Sequence, residues 1–320
     1  MSVGVAIIGQ GYWGKVLTGK FARHPDFHVV AVCRRTPFTP DELDRLPGVA
    51  ALTDLGAAIN APGVEVVVVA TPAASHFGVA RQAVDAGRHV FLEKPPTQTL
   101  AEAEELDGLA QRLGRVVMVD HTFLFTPAYQ ALRQLVDAGR LGTLQHIHST
   151  RADFGSIPSD VNISAHLVYH DLYLIQDLCR GEPERVKASA ASHVLSGITD
   201  TMTADLAFAD GSTATVVANM LFPRKVRQVV VAGDAGILEW DETVEAKLRL
   251  WPHRSENVEG RIVHHHGLVE SVAVAQGDAL DAELAHLHEC LAGRATPRNG
   301  LTQAIAVMRT VQRLDEAAGS

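Results

Sequence analysis

The chain has 320 residues, enough for two domains with their own cores, and its 47% apolar content is that of a folded globular protein. A formal net charge of −9 advertises no basic surface for nucleic acid, and no apolar run approaches the roughly 18 residues of a membrane span. The first residues enter a strand with no basic region or cleavage site, and Cys33, Cys179 and Cys290 lack ligand spacing; reduced thiols and a cytoplasmic location are expected.

The apolar run Val3–Ile8 leads into Gly9-Gln10-Gly11-Tyr12-Trp13-Gly14, and a helix-capable segment, 15–23, follows. Strand, tight glycine turn and helix form the context of a dinucleotide fingerprint. Gly9 permits the sharp turn, Gly11 lets a pyrophosphate approach the backbone, and Gly14 lets the helix pack on the strand. The helix start offers unpaired N–H groups to phosphate. Tyr12 and Trp13 flank the same turn. A tight turn without a ligand is the plainer alternative.

The second strand, 27–33, ends at Arg34, Arg35 and Thr36, where an acidic residue would hold the ribose 2′-hydroxyl of NAD. A guanidinium grips a 2′-phosphate instead, so NADP(H) is expected over NAD(H), with NAD(H) the second choice. Two solvated surface arginines are the bland alternative.

Residues 64–70 are β-branched and mostly apolar, as a strand covered on both faces should be, and run into Thr71-Pro72. Open α/β sheets bind ligands at that carboxyl edge. Ser75 and His76 start a helix. The strand His89–Leu92 runs into Glu93-Lys94-Pro95-Pro96, a helix covers 100–113, and 116–119 close this half before Asp120-His121-Thr122-Phe123. Residues 1–120 are expected to form a doubly wound parallel sheet, the Rossmann type.

From about 144 the texture changes to long alternating stretches at 145–151, 185–193, 201–208, 212–220 and 227–232, with Asp210-Gly211 a strong hairpin turn. A helix at 165–179 interrupts them. Residues 121–320 are expected to form a mostly antiparallel α+β domain for substrate binding and oligomerisation. Its last helices, 278–292 and 301–317, return to cover the assembly. The polar, glycine-broken segment 254–267 reads as a loop.

Pro95 restricts Lys94 to an extended backbone. A lysine there can hydrogen-bond or protonate a substrate oxygen during hydride transfer, and an ordinary loop lysine is the alternative. His121 sits at a strand's carboxyl end, a good place for a cofactor or substrate contact. Arg151 and Asp153 can meet sugar hydroxyls or a phosphate, or be plain surface charge. Tyr169 is a phenol that can donate a proton, although it points about 100° from its neighbour His170.

Together the glycine turn, Thr71-Pro72, Glu93-Lys94-Pro95 and the late helix bearing His170 make the chain resemble the Gfo/Idh/MocA oxidoreductases over nearly its whole length. The resemblance is nearest the branch acting on nucleotide sugars and related sugars. It also runs through Gly11–Gly14, 121–124, Asp160-Val161-Asn162, 170–172 and 223–227. It implies a cofactor edge that includes Thr71, Pro72, His76, Glu93 and Lys94. It implies that Lys94 contacts substrate near the transferred hydride, and that His170 is the proton donor or acceptor. His166 stands where the family usually carries an aspartate, four residues earlier. On a helix that position shares His170's face, so His166 belongs to the catalytic set, but without a fixed negative charge. A changed substrate, a changed proton route and lost activity are the three consequences open.

Two imidazoles at i, i+4 can also ligate a metal, but no H-E-x-x-H pattern accompanies them and no metal is expected. His264-His265-His266 do not converge on one point, and His146 and His148 share a strand face as solvent or interface groups. The expected activity is NADP(H)-dependent oxidation or ketoreduction of a sugar, nucleotide sugar or polyol. The rivals are a nicotinamide-dependent redox-elimination glycosidase and a catalytically decayed cofactor-binding regulator. A homodimer or homotetramer through the second-domain sheet is expected, with no nucleic-acid or membrane partner.

Overall fold

The computed structural model describes residues 2–155, 157–159 and 161–319. Two compact units divide the chain: Met1–Thr122 with Ala279–Ile305, and Phe123–Asp278 with Ala306–Ser320.

In the first unit β1 (Val3–Ile8), β2 (Phe27–Cys33), β3 (Ala50–Leu52), β4 (Val66–Val69), β5 (His89–Leu92) and β6 (Val117–Val119) form one sheet in the order β3-β2-β1-β4-β5-β6. Every pairing in it is parallel. The order reverses at β1 and β4, which opens the crevice where such sheets take ligands. Val66 to Val69 are all buried, as a strand covered on both faces requires. The helices are α1 (Tyr12–Arg23), α2 (Pro40–Leu43), α3 (Leu55–Ile59), α4 (His76–Asp85) and α5 (Leu100–Leu113). A capping box of Thr99 and Glu102 opens α5, and Gly114, left-handed at φ 62°, closes it. Helix α1 starts at Tyr12 with Gly11 as its cap, three residues before the helical segment read from the sequence. The short elements β3, α2 and α3 are additions to that reading.

The second unit holds α6 (Pro127–Asp137), a π-helical turn (Ser164–Val168) and α7 (Tyr169–Cys179). Its strands are β7 (Leu144–Phe154), β8 (Arg185–Ala191), β9 (Thr201–Ala207), β10 (Thr213–Asn219), β11 (Leu221–Gly233), β12 (Ile237–Asp241), β13 (Leu248–Trp251), β14 (Arg254–Val258), β15 (Arg261–His265) and β16 (Glu270–Ser271). Eight of them make a sheet in the order β16-β13-β12-β11-β7-β10-β9-β8, antiparallel except where β10 runs parallel to β7. Asp210-Gly211 does turn β9 into β10: the Phe208 N–H donates to the Ser212 carbonyl at 2.9 Å. Alternation puts Ile147, Val216, Val231 and Leu238 in a core with Leu132, Leu172 and Ile175. Helix α8 (Ala279–Leu291) buries Leu280, Leu284 and Leu287 in the first unit's core, and α9 (Leu301–Ala318) ends the described chain.

The loop expected at 254–267 is instead the hairpin β14–β15. All of β14 and most of β15 is exposed, so neither strand carries the polar–apolar alternation that betrays a half-buried strand.

Candidate active site

The nucleotide turn is built by glycine where nothing larger fits. Gly9 has φ +100°, and a Cβ there would lie 2.3 Å from the Ala70 carbonyl oxygen. A Cβ on Gly14 would lie 1.9 Å from the Gly9 oxygen. These two glycines lock α1 against β1 and the end of β4. Gly11 differs: a Cβ there would meet nothing within 4 Å. Its bare backbone faces open space at the start of a 12-residue helix that has no side-chain cap. That is the cradle a pyrophosphate fits, backbone N–H groups forward. Tyr12 and Trp13 stand 78% and 53% exposed beside it.

At the end of β2 the arginines differ from each other. Arg34 is held: Nη1 and Nη2 donate to Glu42 at 2.8 and 2.5 Å, Nε to the Thr36 carbonyl at 3.0 Å, and Nη2 to the Pro37 carbonyl at 2.7 Å. Its guanidinium also lies 4.2 Å from the Phe38 ring centre. Arg34 and the Thr39 amide hold the Glu42 carboxyl down, to about 2. Arg35 is exposed.

At the carboxyl edge Ser75 Oγ donates to Thr71 Oγ1 and to the Pro72 carbonyl, each at 2.8 Å. His76, expected at the cofactor edge, makes its hydrogen bonds within the protein. It is buried, with Nδ1 and Nε2 each 2.8 Å from a carbonyl oxygen, of Pro95 and Thr71 respectively. The ring donates from whichever nitrogen carries the proton, and burial pushes its pKa down. His76 therefore braces the Thr71 turn against the segment that carries Lys94.

Around Lys94 burial sets the charges. His121 is fully buried; its pKa falls to about 3, through burial first and the Lys94 charge second, so it is neutral. Glu93 is pushed up to about 9 by burial and by Asp120, with Lys94 pulling the other way. Burial also raises Asp120 and Glu283, and side-chain hydrogen bonds link Glu93 to Asp120 and Asp120 to Glu283. Glu283 Oε1 accepts from the His121 N–H at 3.1 Å and from Asn299 Nδ2 at 2.7 Å. Lys94 thus lies beside Glu93, which holds a proton at neutral pH, and that carboxyl is linked to two more whose pKa burial pushes up.

In the second unit His166 lies in the π-helical turn and His170 opens the regular part of α7. Both are half-buried, whereas Leu167, Val168 and Tyr169 between them are buried, so the π turn keeps the two imidazoles on the less covered side. The His170 ring meets Phe123 edge-on at 5.2 Å, and its Nδ1 lies 3.3 Å from the Tyr173 hydroxyl. That hydroxyl accepts the Phe123 N–H at 3.3 Å. Asp160 lies outside the described residues.

Three residues expected from the sequence as substrate contacts have partners within the second unit. Arg151, 5% exposed, forms a bidentate pair with Asp171, 1% exposed, through Nε (3.0 Å) and Nη2 (2.9 Å), and lies 4.8 Å from the Phe123 ring centre. Asp153 accepts from Arg227. Tyr169 is buried against Tyr173, and burial pushes its phenol far up. Asp120, Glu283, Asp171, Tyr173 and Glu42 were not singled out from the sequence. Glu283 had a signal: it is an acid inside the apolar stripe Leu280, Leu284, Leu287 of its helix. Tyr173 sits three residues after His170, a facing position on a helix.

His146 Nδ1 lies 2.8 Å from Thr213 Oγ1, and His148 Nε2 lies 3.3 Å from Thr150 Oγ1. Among the described residues no group of three or more His, Cys, Asp or Glu is placed to hold a metal ion, and no helix is long and apolar enough to cross a membrane.

A parallel sheet in Rossmann order, with a glycine cradle at its switch point, defines a dinucleotide-binding protein. Residues 3–121 match the oxidoreductase family with an NAD-binding Rossmann fold, and residues 129–239 match the GFO/IDH/MocA C-terminal domain. The chain belongs to the Gfo/Idh/MocA oxidoreductase family. It is 32% identical over 148 residues to the uncharacterized oxidoreductase YdgJ of Escherichia coli (strain K12), covering 46% of this chain and 42% of that one. It is 33% identical over 167 residues to a UDP-N-acetylglucosamine 3-dehydrogenase of Acidithiobacillus ferrooxidans, covering 52% of each. These matches span two fifths to half of the relatives' length. The solved structure of the Acidithiobacillus ferrooxidans enzyme GnnA superposes with a TM-score of 0.85 at 25% identity, over 99% of this chain and 97% of that one.

Proposed function

We propose that the chain is an NADP(H)-dependent oxidoreductase acting on a hydroxyl or keto carbon of a sugar, nucleotide sugar or polyol. The observation that carries this reading is Lys94, at the ligand edge of a dinucleotide-binding sheet, beside a neutral imidazole and a protonated Glu93. The bound nicotinamide supplies or accepts the hydride. Gly9, Gly11 and Gly14 with the start of α1, flanked by Tyr12 and Trp13, hold its pyrophosphate. Arg34 and Arg35 meet its 2′-phosphate, and Thr71, Pro72, Glu93 and Lys94 line its path along the sheet edge.

Lys94 stabilises negative charge that develops on the reacting oxygen. Neutral His121 adds no second positive charge beside Lys94. His170 takes the hydroxyl proton in oxidation and returns it in reduction. His166 orients substrate or His170. The resemblance to a UDP-N-acetylglucosamine 3-dehydrogenase supports a sugar substrate. His166 favours the decayed-regulator alternative, and the retained Lys94 and His170 speak against it.

The test is a screen of sugars, nucleotide sugars and polyols that follows absorbance of the reduced nicotinamide. Absence of turnover on all of them would count against an enzyme. NADPH is expected to bind about tenfold or more tighter than NADH, through charge-assisted hydrogen bonds to the 2′-phosphate. Equal affinities in a calorimetric titration would remove the arginine assignment.

We also infer a homo-oligomer, a dimer or a pair of dimers, through the second unit's sheet. The face opposite its core carries half-exposed Val217, Val230, Ile237 and Trp251 among Thr215 and His148. A mixed apolar face of that extent usually has a partner. Light scattering at micromolar concentration is expected to give at least twice the chain's mass; a monomer would contradict the inference.

A further inference from the structure

The guanidinium expected to select the phosphorylated cofactor already holds an anion of the protein's own. Glu42 presents two carboxylate oxygens to two nitrogens of Arg34, the bidentate geometry a phosphate would use. The arrangement is built. Thr39 and Glu42 form a capping box on α2, and the Thr39 N–H donates to Glu42 Oε2 at 3.0 Å. The Thr36 and Pro37 carbonyls accept from the same guanidinium, and Phe38 packs on its face. Lys15, one residue past the glycine turn, places Nζ 3.8 Å from the same carboxylate.

We propose that Glu42 is an internal stand-in for the 2′-phosphate and sets the cofactor preference by competing for Arg34. This rests on the reading of Arg34 as a 2′-phosphate group. A 2′-phosphate must displace the Glu42 carboxylate from Arg34 or share the guanidinium with it at like-charge repulsion. A 2′-hydroxyl demands neither. Glu42 therefore narrows the gap between the two cofactors: it weakens NADPH selectively and leaves NADH nearly untouched. Exposed Arg35 is left as a cation able to meet the phosphate without leaving the Glu42 carboxylate.

The experiment is a titration of NADPH and NADH, read by protein or nicotinamide fluorescence, on wild type, Glu42→Gln, Glu42→Ala and Arg34→Ala/Glu42→Gln. Both single variants are expected to bind NADPH about five- to tenfold more tightly than wild type, from release of one partly exposed ion pair and its repulsion, with NADH changed less than twofold. The double variant is expected to lose that gain. An unchanged NADPH affinity in both single variants, or equal changes for the two nucleotides, would overturn the proposal. So would a gain that survives in the double variant. A wild type that prefers NADH would refute the proposed NADP(H) preference alone; the competition would still stand if Glu42→Gln shifted the balance toward NADPH.

Discussion

Lys94→Ala and His170→Ala are each expected to slow turnover about 10²- to 10⁴-fold, the range for a positioned acid–base group. Hydride transfer to a carbonyl builds negative charge on oxygen, and that charge needs both a cation and a proton. In the mechanism we propose, Lys94 supplies the first. Its neighbours are arranged so that little else competes: His121 is neutral and Glu93 holds its proton. His170, braced by Phe123 and the Tyr173 hydroxyl, is the group we propose for the second. NADPH affinity should change little, because neither side chain belongs to the pyrophosphate or 2′-phosphate positions. His166→Asp, which restores the usual family residue, should fold and change the rate or the substrate range. The comparison to make is turnover of wild type and the three variants on one confirmed substrate. Full turnover in His170→Ala would transfer the proton to Lys94 or His166; Tyr169 is too deeply buried to inherit it.

What the sequence revealed and what it hid follow one physical division. Local patterns were legible. Four successive valines end at a ligand edge, glycines mark a turn, and Asp210-Gly211 announces a hairpin; each is settled within a few residues of chain. The pairings were not. Arg151 and Asp153 read as ligand contacts because a charge in a sequence looks either solvated or functional. Their partners, Asp171 and Arg227, lie 20 and 74 residues away and meet them only in the folded second unit. Glu283 reaches the His121 backbone across 162 residues. Glu42, by contrast, is eight residues from Arg34, but the loop that folds it back carries no pattern that predicts the pairing. Hairpin β14–β15 escaped for the opposite reason: its local pattern is absent because both of its faces meet solvent.

Asp171→Ala is expected to destabilise the second unit by about 3–5 kcal/mol, the loss usual when one member of a buried ion pair is removed. The pair is nearly sealed from water, so Arg151 would keep a guanidinium with three of its hydrogen bonds to Asp171 gone and no solvent to replace them. Arg151 cannot escape by losing its proton: the Asp171 charge and hydrogen bonds outweigh burial and raise its already high pKa. The effect should reach the candidate site as well. Phe123 lies against the guanidinium on one side and meets the His170 ring edge-on, so a displaced Arg151 frees the ring that holds His170. Removing both charges is a different experiment. Arg151→Met/Asp171→Leu leaves no stranded charge, and it should recover most of the stability while still loosening His170. Urea unfolding of the two variants, followed by the second unit's tryptophans Trp240 and Trp251, separates the cases. A loss below about 1 kcal/mol in Asp171→Ala would show that water reaches the pair, and that the pair does not brace the helix that carries His170.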